Sequence, residues 1–531
     1  MTSKKQFQQH FLILAMLAYT NMASGNLDLK SMSLESAIGC SACTTPRLNE
    51  PFVLAKVKVA PICVLLQYPV TVCNGMIDVF GPTVYEAFKH TTKNALEICS
   101  MFQEGLCPNV NVPEDEWTVN LPNIPKPPLQ NRPLPQAGGS VLKVLHLADI
   151  HQDLFYTVGS VDSCDEPLCC RTSSFPKLSE PVQYAGRWGS YNCDMPSIMI
   201  EKTLQHIAAQ HSNIDYIIFT GDIPPHDIWK QDRSIVLNVI RKTYQQLKQA
   251  FPNTRIIPNI GNHELVPDGS FTPPWVQKTQ FTTSWLLSEL YSIWKDWLPQ
   301  SANATFFKGG YFSVPIRPGF RHRPRSTIRM LAQQLQDAEN VGDKVHIIGH
   351  VPPGDSNCLE MWSRNYYKIA NRYEDTITAH FHGHTHFDEF KVFYDDVNYA
   401  RPISVDYVAP SLTSYGDLNP GYKFIHIDAE STEVIDSETW VLNLLQANSQ
   451  NVLNWALSYS AKSEYNLTNL RPSEWNNLIK RMEVDDNLFQ KFYGNYHRHS
   501  SVAEAPDQAK KDTILCNLKS AKSHSSQIFC N

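Results

Sequence analysis

The sequence lacks the features that would place it in a membrane or on a nucleic acid. No stretch reaches the ~18 consecutive apolar residues that a membrane-spanning helix needs. There is no strongly basic block, and the net charge of −6 argues against a nucleic-acid partner. No internal repeat is evident. What remains has the composition of a globular protein, and its 531 residues predict two to four domains.

The N-terminus has the pattern of a secretory signal peptide over residues 1–25. Lys4 and Lys5 give a positive start, the apolar run FLILAMLAY (11–19) follows, and MASG (22–25) supplies small residues for cleavage. A buried N-terminal helix is the alternative. The pattern predicts a soluble, exported protein that is secreted or lysosomal, and we expect a monomer. The sequons at Asn303 and Asn466 predict glycosylation on the same route.

The chain has 13 cysteines, an odd number, and most of them should pair in an oxidising compartment. Six lie within residues 40–107, where fifteen pairings are possible and zinc binding by CSAC is a weaker alternative. Cys358 stands alone. Among the later cysteines we expect the disulfides Cys164–Cys169, Cys170–Cys193 and Cys516–Cys530.

The pattern of apolar, polar and proline residues changes along the chain and predicts four regions after the signal peptide. Residues 36–111 have helical periodicity, and residues 112–140 form a proline-rich, extended linker. Residues 141–430 alternate short buried strands with helical patterns, which indicates an α/β layered domain. Residues 431–531 have helical texture again, including 441–465 and 473–496.

Polar residues stand at the ends of the predicted strands of the α/β domain. The segments VLKVLHLADIH (141–151), IDYIIFTGD (214–222), RIIPNIGNHE (255–264) and KVHIIGH (344–350) share this form, and GHTH (383–386) adds two histidines. A single such residue is usually a turn former or a surface histidine. Together they supply the imidazole and carboxylate ligands that zinc, manganese or iron prefer. Two metals ~3.5–4 Å apart would need a bridging carboxylate.

The pattern D-x-H, GD, GNHE, GH, GHxH resembles the binuclear metallophosphoesterase superfamily. The resemblance implies a two-sheet α/β sandwich and two zinc ions, with His263 as the proton donor to the leaving oxygen. It implies that one metal is held by Asp149, His151, Asp222 and His386, and the other by Asp222, Asn262, His350 and His384.

Other motifs resemble the acid sphingomyelinase family, and the resemblance runs from about residue 36 to the C-terminal cysteines. They are TGDIPPHDIW (220–229), KVHIIGHVPPG (344–354), GHTHFDEFKVFYD (383–395) and LNPGYKFIHID (418–428). The resemblance implies hydrolysis of sphingomyelin to ceramide and phosphocholine by attack of a metal-bound hydroxide on phosphorus. His226 would share the acid role with His263, and Tyr415 would line the choline site or simply pack.

The same resemblance identifies residues 36–111 as a saposin module, which would engage a sphingomyelin-containing membrane surface. Saposin modules are small helical domains with nested disulfides. The pairing implied here is Cys40–Cys107, Cys43–Cys99 and Cys63–Cys73.

The chain departs from the family pattern between residues 317 and 330. Five arginines occupy the place where a buried strand is expected, and charged side chains are not stable in a sheet interior without partners. A segment of about twenty residues that carries the partner of Cys358 is therefore expected to be missing. A catalytically impaired lipid-binding isoform is one alternative, and a related nucleotide or phospholipid phosphodiesterase is another.

Overall fold

The computed structural model describes residues 63–64, 68–94, 96–97, 116–129, 133–135, 138–177, 181–273, 275–324 and 328–530. The predicted signal peptide and the predicted disulfides Cys40–Cys107 and Cys43–Cys99 lie outside these residues. Within them, no helix combines the length and the apolar character needed to cross a bilayer.

The strands are β1 (Val141–Leu147), β2 (Gln152–Asp153), β3 (Met195–Pro196), β4 (Tyr216–Phe219), β5 (Arg255–Pro258), β6 (Val314–Arg317), β7 (Phe320–Pro324), β8 (Lys344–Ile348), β9 (Ile377–His382), β10 (Glu389–Tyr394), β11 (Pro402–Val408), β12 (Gly421–Asp428), β13 (Val434–Leu442) and β14 (Trp455–Ser460). The helices are α1 (Val70–His90), α2 (Ser197–Gln210), α3 (Arg233–Ala250), α4 (Ser284–Trp294), α5 (Asn303–Gly309), α6 (Ile328–Asn340), α7 (Glu360–Arg372), α8 (Leu444–Gln450), α9 (Ala461–Glu464), α10 (Pro472–Val484), α11 (Asp486–Tyr496), α12 (Gln508–Lys519) and α13 (Ser526–Phe529), with a 3₁₀ turn at Gln300–Ala302.

Two six-stranded sheets form the centre of the molecule, as the α/β sandwich prediction required. Sheet A has the order β14-β13-β12-β1-β4-β5, and sheet B has the order β10-β11-β9-β8-β7-β6. The strands β1, β4 and β5 are parallel, and so are β7, β8, β9 and β11. Parallel strands are buried on both faces and bring their carboxyl ends to one edge of a sheet.

Alternation of side chains along the strands explains how the sheets and helices form layers. The ring of His146 (β1) meets Phe381 (β9) edge to face at 5.7 Å, so these side chains lie between the sheets. On the opposite face of sheet A, Phe219 contacts Tyr244 of α3 at 5.9 Å. On the opposite face of sheet B, the Tyr366 hydroxyl of α7 lies 2.7 Å from His380 Nδ1. Helices therefore cover the outer faces of both sheets.

Local signals account for several helix ends. The Asp232 carboxylate accepts hydrogen bonds from the amides of Ser234 and Ile235 at 2.7 and 2.9 Å and so begins α3. Such a cap stabilises a helix by about 1 kcal/mol. Asp485 and Asp507 cap α11 and α12 in the same way.

The described part of the linker is extended and held against the α/β domain. The amide of Val119 donates to Asn365 of α7 at 2.6 Å, and the Asn365 amide donates to the Trp117 carbonyl at 2.9 Å. Lys126 forms an ion pair with the buried Glu374. These contacts fix the path of the linker along sheet B's outer helices.

The arginine-rich stretch does form a strand, so the expectation that it could not was wrong. β7 lies inside sheet B, between β8 and the edge strand β6. Phe320 and His322 point into the core, and His322 Nε2 lies 2.9 Å from the Tyr216 hydroxyl. Arg321 points the other way, where it stays partly exposed and pairs with Asp343. The alternation of the strand thus keeps this charge out of the core.

The prediction that residues 441–465 are helical was only partly right. This segment contains the helix α8, but also the strand β14, which pairs with β13 at the edge of sheet A. Residues 434–460 therefore complete sheet A, and the longer C-terminal helices begin at Pro472 rather than at the predicted position of 431. In apolar runs of this length, periodicity does not distinguish a strand from a helix.

The disulfides of the described residues are Cys63–Cys73, Cys164–Cys169, Cys170–Cys193 and Cys516–Cys530, which are pairs predicted from the sequence. In the same part of the chain Cys358 is a free, buried thiol, as the odd cysteine count predicted. Whether a segment is missing before α6 stays a prediction.

A group of neutral histidines lies between the two sheets. His322 and His346 have ring centroids 5.0 Å apart, and His346 donates from Nε2 to the Thr432 carbonyl at 2.8 Å. Both are fully buried, and burial lowers the pKa of His346 to about 3. The unfolded chain, in contrast, protonates this residue near pH ~6.5.

This difference predicts that acid weakens the fold. Because the unfolded state binds more protons below pH ~6.5, the free energy of unfolding falls as pH decreases from there toward the folded pKa. His346→Gln should remove up to about 1.4 kcal/mol per pH unit from that slope between about pH 6 and about pH 5. Urea unfolding at several pH values measures it.

The control is His90→Gln, because the His90 side chain is 70% exposed, and it should leave the slope unchanged. An unchanged slope in His346→Gln would contradict the argument.

Candidate metal centre

Seven predicted ligands come from the carboxyl ends of strands in both sheets and meet at one place. Asp149 and His151 follow β1, Asp222 follows β4, and Asn262 follows β5. From sheet B, His350 follows β8, and His384 and His386 follow β9. The site therefore lies where the strand ends of the two sheets face each other, as the strand-end pattern predicted.

Asp222 lies at the middle of the cluster. Its Oδ2 is 3.0 Å from His350 Nε2 and 3.6 Å from His151 Nε2. Asn262 Oδ1 is 3.0 Å from His350 Nε2 and 3.1 Å from His384 Nδ1. One carboxylate thus reaches histidines on both sides of the site, which is the geometry required of a bridging ligand.

The other half of the cluster lies around His151. Its Nε2 is 3.2 Å from His386 Nε2, and His386 Nε2 is 3.7 Å from Asp149 Oδ1. Asp149 also accepts hydrogen bonds from the His384 amide at 2.9 and 3.0 Å. Atoms that could bind a metal lie within 4.8 Å of one another in three groups: His151 with His226 and His386, His151 with Asp222 and His263, and Asp222 with His350 and His384.

The tautomers of two histidines show that this cluster fits cations. His151 Nδ1 lies 2.7 Å from the Pro224 carbonyl, and His350 Nδ1 lies 2.9 Å from the Thr220 carbonyl. A carbonyl only accepts, so each Nδ1 carries a proton and each Nε2 is the ring atom that faces the cluster. Burial lowers the pKa of His350, but Asp222 outweighs it and raises the pKa to about 9, so without a metal ion His350 Nε2 carries a proton that it donates to Asp222. A cation that binds at Nε2 would take the place of that proton.

Supporting contacts orient the ligands. The Asn262 amide nitrogen donates to Asp268 at 2.9 Å, which turns its oxygen toward the histidines. Glu264 accepts from the amides of Gly261 and Ile223, each at 2.7 Å, and so holds the turns on either side of Asp222. Partners of this kind fix ligand orientation and metal affinity.

Two glycines allow the ligand loops to approach one another. A side chain at Gly261 would collide with Asp222, and one at Gly383 would collide with Asp149 and Thr220. The glycine that precedes His384 in GHTH is therefore required by close packing against the opposite sheet.

Three carboxyl groups are buried close together at the site. Burial raises the pKa of Asp149 to about 7 and that of Glu264 to about 7, and the neighbouring Asp222 adds to both shifts. Burial also opposes ionisation of Asp222, but the surrounding histidines, His350 first, hold its pKa well below its usual range. Divalent cations bound at this position would favour the ionised form of all three carboxyls.

The two predicted acids lie beside the ligands. The ring centroids of His263 and His226 are 4.8 Å apart, and the centroid of His263 is also 4.8 Å from that of His151. Burial lowers the pKa of His263, but Asp268, Asp222 and Asp194 outweigh it and raise the pKa overall, which favours imidazolium. His226 is anchored through Nδ1, 2.8 Å from Asp194 Oδ1.

Tyr415 has a packing role in this structure. Its ring stacks on His226 with centroids 4.4 Å apart, and its hydroxyl donates to the Pro167 carbonyl at 2.9 Å. It is 9% exposed. A direct contact with choline stays a prediction.

No sequence motif pointed to Arg498, which follows α11 in the C-terminal region. Its guanidinium is fully buried and donates to the carbonyls of His386 and Asn419 and to the Ser411 hydroxyl. It thereby ties the loop that carries His384 and His386 to the loop before β12. Because Arg498 is 112 residues from His386, no local motif could have revealed the contact.

Comparison with known proteins agrees with this geometry. Residues 142–388 match the family described as calcineurin-like phosphoesterase, and residues 401–530 match the acid sphingomyelin phosphodiesterase C-terminal region. The two-sheet fold and its cluster of histidines and carboxylates are those of a binuclear metallophosphoesterase.

Relatives that match over most of their length identify the family within this class of metallophosphoesterases. The chain is 37% identical to sphingomyelin phosphodiesterase of Bos taurus and 36% identical to that of Homo sapiens, over 87% of its own length and 78% and 77% of theirs. It is 33% identical to sphingomyelin phosphodiesterase B of Dictyostelium discoideum, over 85% of this chain and 74% of that protein. The chain belongs to the sphingomyelin phosphodiesterase family.

The contacts of Arg498 predict an effect on metal binding. Arg498→Lys keeps the charge but cannot reach three acceptors at once, so the loop of His386 should loosen. We expect zinc affinity to fall by about 10–100-fold, the usual cost of removing a supporting contact. Zinc titration against a competing chelator measures it.

Arg401→Lys is the matched control, because the Arg401 side chain is 47% exposed and pairs with Glu374, which is not among the proposed ligands. Equal zinc affinity in Arg498→Lys and the unmodified protein would show that the buried guanidinium does not position the loop.

Proposed function

We propose that the protein hydrolyses sphingomyelin to ceramide and phosphocholine. The observation that carries the proposal is the convergence of histidine nitrogens and carboxylate oxygens around Asp222, in a chain of the sphingomyelin phosphodiesterase family. That donor set suits zinc, and we propose two zinc ions. When bound, they would generate a water nucleophile near neutral pH and neutralise charge on the phosphoryl group.

The ligand sets are proposed as the resemblance to the metallophosphoesterase superfamily implied them. Asp149, His151, Asp222 and His386 would hold one ion, and Asp222, Asn262, His350 and His384 the other. The water oxygen bonds to phosphorus, the bond from phosphorus to the ceramide oxygen breaks, and that oxygen takes a proton. His263 would donate the proton, because its ring lies beside His151 while its own Nδ1 has no partner.

His226 would assist by fixing the position of the leaving group. Asp194 contacts both its ring and its amide, at 2.8 and 2.7 Å, so the side chain is pre-oriented. Thr413 in turn donates to Asp194 at 3.1 Å. This chain of contacts supports a positioned acid or hydrogen-bond donor at His226.

The saposin module would bring the enzyme to a sphingomyelin-containing membrane surface as a monomer. Val64 and Val70, before and at the start of α1, are 40% and 57% exposed, which suits contact with lipid. The disulfides favour a secreted or lysosomal location, where they would persist. Asn303 and Asn466 are exposed and suit glycosylation.

The activity itself is tested by phosphocholine release from sphingomyelin vesicles at about pH 5. We expect release that zinc supports and a chelator abolishes. Absence of release by folded, zinc-loaded protein would favour the second candidate, an inactive lipid-binding form, which the departure of residues 317–330 from the family pattern suggests.

His263→Ala tests the acid. Because His263 is not among the proposed ligands, the variant should retain its zinc but lose about 10²–10⁴-fold in turnover, the usual contribution of a general acid. Zinc content and kcat are measured on the same preparation. His426→Gln is the control, because His426 is a partly exposed residue of β12 that pairs with Glu438. Loss of zinc together with activity would mean that His263 is a ligand.

A further inference from the structure

The ring of His384 has partners on both sides, one facing the metal centre and one facing away from it. Its Nδ1 lies 3.1 Å from Asn262 Oδ1 and 3.2 Å from His350 Nε2, so this nitrogen faces the other proposed ligands. Its Nε2 lies on the other side of the ring, 2.9 Å from the side-chain amide of Asn357. The Asp355 carboxylate is 4.0 Å from the same nitrogen. Asn357 therefore contacts this proposed ligand from outside the ligand set.

The segment that carries Asn357 connects β8 to α7 and has a defined path. The Asp355 side chain accepts a hydrogen bond from the amide of Asn357 at 2.8 Å, and the amide of Cys358 donates to the Asp355 carbonyl at 3.0 Å. An aspartate that accepts from the backbone two residues further on closes a turn in this way. The turn fixes the backbone of Asn357, although the side chain of that residue is exposed.

The segment after α12 supports this turn from behind. The amide of Ser523 donates to the Pro353 carbonyl at 3.1 Å, and its hydroxyl donates to the Cys358 carbonyl at 2.9 Å. A side chain at Gly354 would collide with the Ser520 carbonyl. Because these contacts reach both ends of the turn, they hold it against the metal centre.

The chemistry of imidazole gives the contact to Asn357 a specific use. A neutral imidazole that binds a metal ion through one nitrogen carries its proton on the other. For His384 to bind through Nδ1, Nε2 must therefore donate its proton to an acceptor. The side-chain amide of Asn357 can serve, because it offers both an oxygen and a nitrogen. Its oxygen accepts from Nε2 when Nδ1 binds a metal ion, and its nitrogen donates to Nε2 when Nδ1 carries the proton.

We propose that Asn357 is a positioning residue for His384: its amide oxygen accepts the Nε2 proton and so directs Nδ1 to one of the two proposed zinc ions. That ion is the one assigned to Asp222, Asn262, His350 and His384. The inference rests on the proposed function, and in particular on that ligand set. The other ion does not use His384 and should not depend on Asn357.

Asn357→Leu and Asn357→Asp test the proposal, because leucine has a similar size but no acceptor, whereas aspartate keeps an acceptor oxygen. Zinc titration against a competing chelator measures the affinity for each of the two ions. We expect Asn357→Leu to weaken one ion by about 10–100-fold, the usual cost of losing a partner of a metal-bound histidine, and to leave the other unchanged. Asn357→Asp should bind both ions at least as tightly as the unmodified protein. Ser356→Ala, in the exposed neighbour on the same turn, is the control and should have no effect.

Equal affinity for both ions in Asn357→Leu and the unmodified protein would overturn the proposal. So would an equal loss in Asn357→Leu and Asn357→Asp, because the turn and not the acceptor would then be what matters. The titration needs no turnover, so it decides the role of Asn357 even if the zinc-loaded protein does not hydrolyse sphingomyelin. Fewer than two ions in the unmodified chain would overturn the proposed pair of metals and this inference with it.

Discussion

The burial of one carboxylate, Asp222, among histidines from both sheets is the constraint on which this structure depends. His151 and His350 direct Nε2 at Asp222 because their other ring nitrogens donate to backbone carbonyls. Such a cluster needs positive charge beside its buried carboxylate, which a protonated His350 or bound cations supply. Two sheets are needed to build it, since no single sheet edge carries enough ligands. The sandwich, the tight glycine turns and the buried Arg498 all hold these atoms in place.

The ligand loops also carry backbone strain. Asp149, His151, Asp222, His384 and His386 all have positive φ, between 42° and 71°. Such a conformation costs roughly 1–2 kcal/mol for a residue other than glycine. Hydrogen bonds between loops offset it: the amides of Asp149 and His151 donate to the carbonyls of Gly221 and Asp222 at 3.0 and 3.1 Å. Strain of this kind persists where neighbouring structure enforces it, and here it places the ligand side chains before any ion binds.

The sequence predicted the parts of the site that depend on local pattern. Short β-branched runs ending in Asp, Asn or His became β1, β4, β5 and β8, and their ends meet as parallel strands require. The sequence did not predict those parts of the structure that depend on pairing between distant segments. β7 tolerates Arg321 because Asp343 pairs with it, and β14 is a strand because β13 offers it an edge. Arg498 is invisible to local pattern for the same reason, because its acceptors lie on other loops.

The number of zinc ions bound per chain tests the central claim most directly. Mass spectrometry of the metal content of purified protein, equilibrated with zinc and then desalted, gives that number beside Asp222→Asn. Two ions per unmodified chain, and fewer than one in Asp222→Asn, are predicted, because Asp222 reaches both halves of the site. One ion or none in the unmodified chain, or two in both proteins, would contradict the bridged pair of metals.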